Sequence, residues 1–387
     1  MRRARRLLPF ALFAVLFAQG AAAASCERPD WPQWQRFAAS AIQADGRVLE
    51  SSLKANHSTS EGQSYALFFA LVANDPLTFG RIWQWSKSNL AQGDLGQHLP
   101  AWLWGQGSDG RWAIQDANAA SDADLWFAYS LLEAARLWQQ PTYAADARAL
   151  LARIRADEVV DLPGLGPMLL PGPQGFALPE RLWRLNPSYL PLFILRRLTL
   201  EEPKGPWPAM ARQLPSLLER SSGRALAADW IGYRATAPNR GLVVDDPQGP
   251  PLGSYDAIRV YLWAGLTDPA DPQAKPLLSA LAGIIQATAT LGVPPEKIDV
   301  RSGQAQGQGP AGFSAALVPL LRQQGHGWLA DAQQRRAAAA LDADQPLRYY
   351  DQMLGLFGLG WSAGHYRFAA DGRLQPSWKT PCPSTSL

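Results

Sequence analysis

Apolar residues recur at helical spacing along nearly the whole chain, strict strand-like alternation is nearly absent, and the fold class this predicts is all-α. Six segments share one style, a small or polar start followed by an apolar helix: Ser60 to Ala73, Ser121 to Trp138, Pro187 to Leu198, Ser254 to Leu266, Gly312 to Leu321, and Arg348 to Gly360. Their starts are spaced by roughly 35 to 70 residues, as in a repeated supersecondary unit. Between them lie more amphipathic segments: Leu77 to Leu90, Thr142 to Ala156, Trp207 to Ser221, Pro272 to Thr290 and Gly327 to Leu341, with Trp31 to Ala44 as a sixth. The first set is apolar nearly all round, as buried helices are, whereas the second keeps a wet face. Six buried helices alternating with six half-exposed ones predict an (α/α)6 barrel. An open helical solenoid shares the alternation but would have more uniform repeats and capping units. In a barrel the inner helices run parallel and start at one end, so Glu61, Asp122, Tyr189 and Asp256, each near a different start, are expected to converge.

The N-terminal residues speak to compartment. Arg2, Arg3, Arg5 and Arg6 precede an apolar run from Leu7 to Phe17 and the small residues Gly20 to Ser25, which reads as a secretory signal peptide over residues 1–24. Its apolar core is too short to span a bilayer. Cleavage near Ala24 would remove four arginines and no acid, taking the formal charge from +3 to −1. A near-neutral chain gives no electrostatic case for nucleic acid or an anionic membrane. Cys26 and Cys382 are the only cysteines, and in an oxidising compartment a disulfide between them is one reading and two free thiols the other. The roughly 360 remaining residues would ordinarily suggest two domains. No linker supports that split, so residues 25–387 are read as a single domain. Sixteen tryptophans in one chain suit a packed core, and in an exported protein they also suit stacking on sugar rings.

Two short motifs place an acid at the start of an apolar helix. Ser58-Thr59-Ser60-Glu61-Gly62-Gln63-Ser64-Tyr65 is the first, and an isolated S-E-G is more often an N-cap, here Ser60, with a first-turn acid favoured by the helix dipole. Ser254-Tyr255-Asp256-Ala257-Ile258-Arg259 repeats the arrangement, with Arg259 one turn on. Carboxylate and Arg at that spacing also form an ordinary helix-surface pair.

These residues resemble glycoside hydrolase family 8, and within it the branch that accompanies bacterial cellulose synthase. The resemblance runs from Trp31 to about Trp378. Its most specific element is the stretch Ala120-Ser121-Asp122-Ala123-Asp124-Leu125-Trp126-Phe127 and onward to Trp138, which departs from the family signature only at Phe127, where Ile or Met is usual. Further matches are Pro100-Ala101-Trp102-Leu103-Trp104-Gly105, Asn186-Pro187-Ser188-Tyr189-Leu190-Pro191, Pro294-Pro295-Glu296-Lys297 and Gly309-Pro310-Ala311-Gly312-Phe313-Ser314-Ala315-Ala316. The resemblance implies an (α/α)6 barrel and an inverting endo-β-1,4-glucanase of cellulose biosynthesis, with the cellulose synthase export machinery as a partner. On matching positions it implies Glu61 as proton donor, Asp256 as base, Asp122 as the binder of the sugar at the cleavage point, and Tyr189 as a holder of the attacking water. Related proteins cut chitosan, xylan or mixed-linkage glucan, and these substrates stay open.

The chemistry asks for such residues on its own account. Inverting hydrolysis needs a protonated carboxyl and an ionised one about 6.5 to 9.5 Å apart, with water between the base and the sugar. Burial and a neighbouring carboxylate such as Asp122 would raise the Glu61 pKa, and Arg259 would keep Asp256 charged. Asp124, two positions past Asp122, points elsewhere and reads as structural. Trp102, Trp183 and Tyr350 are candidates for contact with sugar, together with Arg259, whereas Trp85, Trp126, Trp138 and Trp263 lie within helices and read as core. The four histidines show no ligand spacing and cysteine is scarce, so neither metal nor organic cofactor is expected. Two other classes compete. Helical polysaccharide lyases would need Arg or Lys clusters for uronates, and a non-catalytic glucan-binding accessory would have no use for both acids.

Overall fold

The computed structural model describes residues 30–50, 57–341 and 348–379. Residues 1–24, expected to be a signal peptide, lie outside the described residues, as do Cys26 and Cys382. Thirteen α-helices follow one another: α1 (Pro32–Ala41), α2 (Ser60–Val72), α3 (Pro76–Asn89), α4 (Ser121–Trp138), α5 (Pro141–Asp157), α6 (Leu192–Glu201), α7 (Trp207–Ser221), α8 (Ala257–Leu266), α9 (Ala274–Ser279), α10 (Gly283–Leu291), α11 (Ala311–Gln323), α12 (Gly327–Leu341) and α13 (Tyr349–Ser362).

The apolar set packs side by side in the order α2, α4, α6, α8, α11, α13. Phe357 of α13 then meets Phe69 and Phe68 of α2 at 4.5 and 5.6 Å between ring centroids. Rings from non-adjacent helices close the middle: Trp126, Trp263 and Phe357 stand 5.0 to 5.3 Å from one another. Burying side chains of this size stabilises the fold by roughly 1.5–3 kcal/mol each. Trp126, Trp263 and Trp85 are buried. Glycine sets the closest approach on both sides of α11. A side chain at Gly265 would overlap the Leu320 backbone, and one at Gly358 the Ala315 carbonyl. The amphipathic set forms a second layer, with α3 on α2, α5 on α4, α7 on α6, α9 on α8, α12 on α11 and α1 against α13.

Three features depart from the sequence reading. The segment from Pro187 is not one helix: Pro187–Tyr189 is a single 3-10 turn and α6 begins at Leu192, because Pro191 lacks an N–H and clashes with the carbonyl four residues back. The segment from Pro272 splits into α9 and α10, where the Gly283 N–H bonds the Ala225 carbonyl at 2.9 Å and only a missing side chain leaves room for that loop. Strands are also more frequent than the alternation suggests. Fourteen short antiparallel strands form five small sheets among the described residues. None exceeds the eight residues of Trp112–Ala119, and register shifts interrupt its pairing with Ala101–Gln106, so no long alternation registers. The sheets brace the helix starts. Ser58–Thr59 leads into Glu61, Leu182–Leu185 into Pro187–Tyr189, and Leu252–Gly253 into Asp256.

Candidate active site

Glu61 sits in the first turn of α2. The cap is Thr59 rather than Ser60: its Oγ1 accepts from the Gly62 N–H at 3.0 Å and donates to Glu50 at 2.6 Å. Capping leaves Glu61 free of that duty, and its Oε2 is sealed from solvent without a hydrogen-bond partner in the protein. Burial, then the charges of Asp122 and Glu50, push the Glu61 carboxyl well above the usual range, with Arg259 opposing. Tyr349 closes one side, since a Cβ on Gly62 would lie 3.2 Å from its hydroxyl.

Asp122 opens α4 and is 1% exposed. Its Oδ1 accepts from the Ala123 N–H at 2.9 Å, and its Oδ2 lies 3.9 Å from Arg259 Nη2. Burial raises it to about 6 against the pull of Arg259. Asp256 stands at the start of α8, less enclosed than Asp122, and Arg259 Nη2 donates to its Oδ1 at 2.7 Å and to Ser188 Oγ at 2.9 Å. Tyr350 donates from its hydroxyl to the Tyr255 carbonyl at 2.5 Å, gripping the same turn. The Tyr189 ring stands 6.0 Å from the Arg259 guanidinium, and burial together with the fields of Asp122, Glu61 and Asp256 raises its phenol. Glu61, Asp122, Tyr189, Asp256, Arg259 and Tyr350 therefore share one site, built from the starts of different helices.

The tryptophans divide. Trp102 is half-buried on the strand Ala101–Gln106. On that strand Trp104 stacks with Trp112 at 5.1 Å, with the Arg47 guanidinium 5.0 and 4.8 Å from their rings. Trp183 packs against the hydrophobic core. Its neighbour Arg184, pointing the other way as strand geometry requires, lies 3.9 Å over Trp230, whose ring is 6.3 Å from Tyr189. Trp230, Glu50 and Asp229 are site neighbours that no local motif announces. Asp124 is fully buried and hydrogen-bonds to the equally buried carboxyl of Glu158 at the end of α5. Neither carboxyl finds a donor elsewhere in the protein, and a proton shared between them would satisfy both. Among the described residues no group of three His, Cys, Asp or Glu side chains is placed to hold a metal ion.

Two carboxyls held in contrasting environments, one enclosed and one paired with a guanidinium, suit acid–base hydrolysis. Comparison with known proteins points the same way. The chain is 48% identical to an endoglucanase of Pseudomonas fluorescens (strain SBW25), with 97% of each covered. It is 47% identical to an endoglucanase of Xanthomonas axonopodis pv. citri (strain 306), with 99% of each covered. Among solved structures, an endo-1,4-D-glucanase from Vibrio fischeri ES114 superposes with a TM-score of 0.84 at 40% identity, covering 91% of this chain and 100% of that one. An endo-β-1,4-glucanase from Acetobacter xylinum gives 0.69 at 25% identity, covering 86% and 97%. The model of glycosyl hydrolases family 8 matches residues 5–364, and the chain, a glycoside hydrolase, belongs to that family.

Proposed function

We propose that this glycoside hydrolase is an exported endo-β-1,4-glucanase that cleaves cellulose with inversion during bacterial cellulose biosynthesis, acting in the periplasm or outside the cell as a single catalytic domain. The cellulose synthase export machinery would then be its partner. The described residues contain no helix long and apolar enough to cross a membrane. The order of helix contacts, ending with Phe357 against Phe68 and Phe69, supports an (α/α)6 barrel whose inner ring is α2, α4, α6, α8, α11 and α13.

The observation that carries the reading is the contrast between two carboxyls. Glu61, enclosed and beside other carboxylates, holds its proton; Asp256, ion-paired to Arg259, stands ready to accept one. Glu61 gives its proton to the glycosidic oxygen as the bond to the anomeric carbon breaks. Asp256 takes a proton from water, whose oxygen forms the new bond on the opposite face. Tyr189 holds that water, and Asp122 binds the sugar at the cleavage point. Trp102, Trp183 and Tyr350 border the glucan, joined by Trp230.

Glu61→Gln tests the assignment. Reducing-sugar release from carboxymethylcellulose should fall about 10²- to 10⁴-fold, the usual contribution of general acid catalysis, while cello-oligosaccharide binding persists. Near wild-type turnover in this variant would sink it. Product analysis on xylan, chitosan and mixed-linkage glucan fixes the substrate.

A further inference from the structure

Asp is among the best N-cap residues because its carboxylate folds back onto the first free amides of the helix. Asp256 occupies that position on α8, yet makes no such bond. Its carboxylate reaches outward to Arg259 instead. The amides are already taken. Asp229 Oδ1 accepts from the N–H groups of Ser254, Asp256 and Ala257 at 2.7, 3.1 and 2.7 Å, and its Oδ2 accepts from the Ser254 hydroxyl at 2.5 Å. The next two amides, Ile258 and Arg259, bond the carbonyls of Ser254 and Asp256 at 3.1 and 3.0 Å.

We propose that Asp229 is a positioning residue for hydrolysis: by capping α8 from outside, it keeps Asp256 from capping its own helix and holds the base toward the substrate. The loop that carries Asp229 is itself fixed. The Ala227 N–H donates to the Tyr261 hydroxyl of α8 at 2.7 Å, and the Asp229 N–H to the Leu252 carbonyl at 2.8 Å. Gly253 makes the contact possible, since a side chain there would overlap the Ala227 carbonyl. Asp229→Ala frees the Ser254, Asp256 and Ala257 amides, and the Asp256 carboxylate then has a donor close at hand.

The inference rests on Asp256 as the base, so Asp256→Asn is the control. Asp229→Ala, assayed on cellopentaose well below its melting temperature, should lose about 100-fold in kcat, the scale of a misplacement near 1 Å. KM and cellopentaose affinity should stay within threefold. Asp229→Asn keeps an oxygen for the three amides, while the Ser254 hydroxyl can turn to accept from the new NH2, so its kcat should stay within fivefold of wild type. If Asp256→Asn is inactive while folded Asp229→Ala retains kcat within threefold, Asp229 only stabilises the fold and the proposal fails. Should Asp229→Ala not fold, a folded Asp229→Asn as inactive as Asp256→Asn overturns it instead. An active Asp256→Asn removes the base assignment itself, a separate failure.

Discussion

A negative charge beside a carboxyl disfavours its ionisation, and Glu61 has Asp122 and Glu50 as such neighbours in addition to its burial. If Glu61 must be protonated to act, its ionisation sets the alkaline limb of kcat/KM. Asp122→Asn removes one of the two charges and lowers the Glu61 pKa, so that limb should move to lower pH; an unmoved limb would show that the two groups are uncoupled. The overall rate should fall as well if Asp122 binds the sugar at the cleavage point, as proposed. At this scale the sequence was informative where a local motif carried the residue. Glu61, Asp122, Asp256 and Arg259 each lie within a few positions of a helix start, so pattern alone locates them. Asp229 reaches Asp256 across 27 positions and Glu50 reaches Thr59 from an extended segment, and neither relation leaves a periodic trace. The cap of α2 falls one residue before the expected Ser60, because Ser and Thr both cap well and the strand Ser58–Thr59 decides between them.

Among the elements, long helices were legible nearly to the residue, α4 as a continuous apolar run and α7 because buried and wet faces alternate over several turns. Pieces shaped by tertiary contact were not: the break before α10 answers to the loop at Ala225, and the strands that brace the site are too short to show a period. The junction of α4 and α5 carries a cost that pattern could not reveal. Burial raises both Asp124 and Glu158; Asp124 raises Glu158 further, while Glu158 pulls Asp124 down as its hydrogen-bond partner. The folded protein thus keeps a proton that the unfolded chain releases above about pH 4. Stability from this pair is therefore lost as pH rises from the unfolded values through the folded ones. Glu158→Gln puts an amide donor against Asp124 and relieves the repulsion. It should be more stable than wild type at pH 8 by on the order of 1 kcal/mol, with a shallower decline between pH 5 and pH 8, read from urea midpoints. Lower stability at pH 8 with an unchanged decline would show that no proton is shared there.

For the whole molecule, the decisive question is how far apart the proposed barrel holds Glu61 and Asp256. They stand at the starts of α2 and α8, helices that do not follow one another in the packing order, with α4 and α6 between them on one side and α11 and α13 on the other. Carboxyls on adjacent turns of one helix would be too close for a water and a sugar to fit between them. Two starts facing across the mouth of a ring leave that room, and an inverting reaction needs about 6.5 to 9.5 Å, whereas a retaining one needs about 5 to 5.5 Å and a covalent glycosyl-enzyme. The fold thus bears directly on stereochemistry. If Asp256 activates the water, attack comes on the face opposite the departing chain, and a β-linked glucan should first release the α-anomer. Proton NMR during the first minutes of cellopentaose hydrolysis, before mutarotation mixes the anomers, reads this at the anomeric signals. Asp256→Ala should abolish the signal, and azide, small enough to enter from the same face, should restore turnover by forming the α-glycosyl azide. A β-anomer appearing first would mean that the new bond forms on the face of the old one, and Asp256 could then not be the general base of a single displacement.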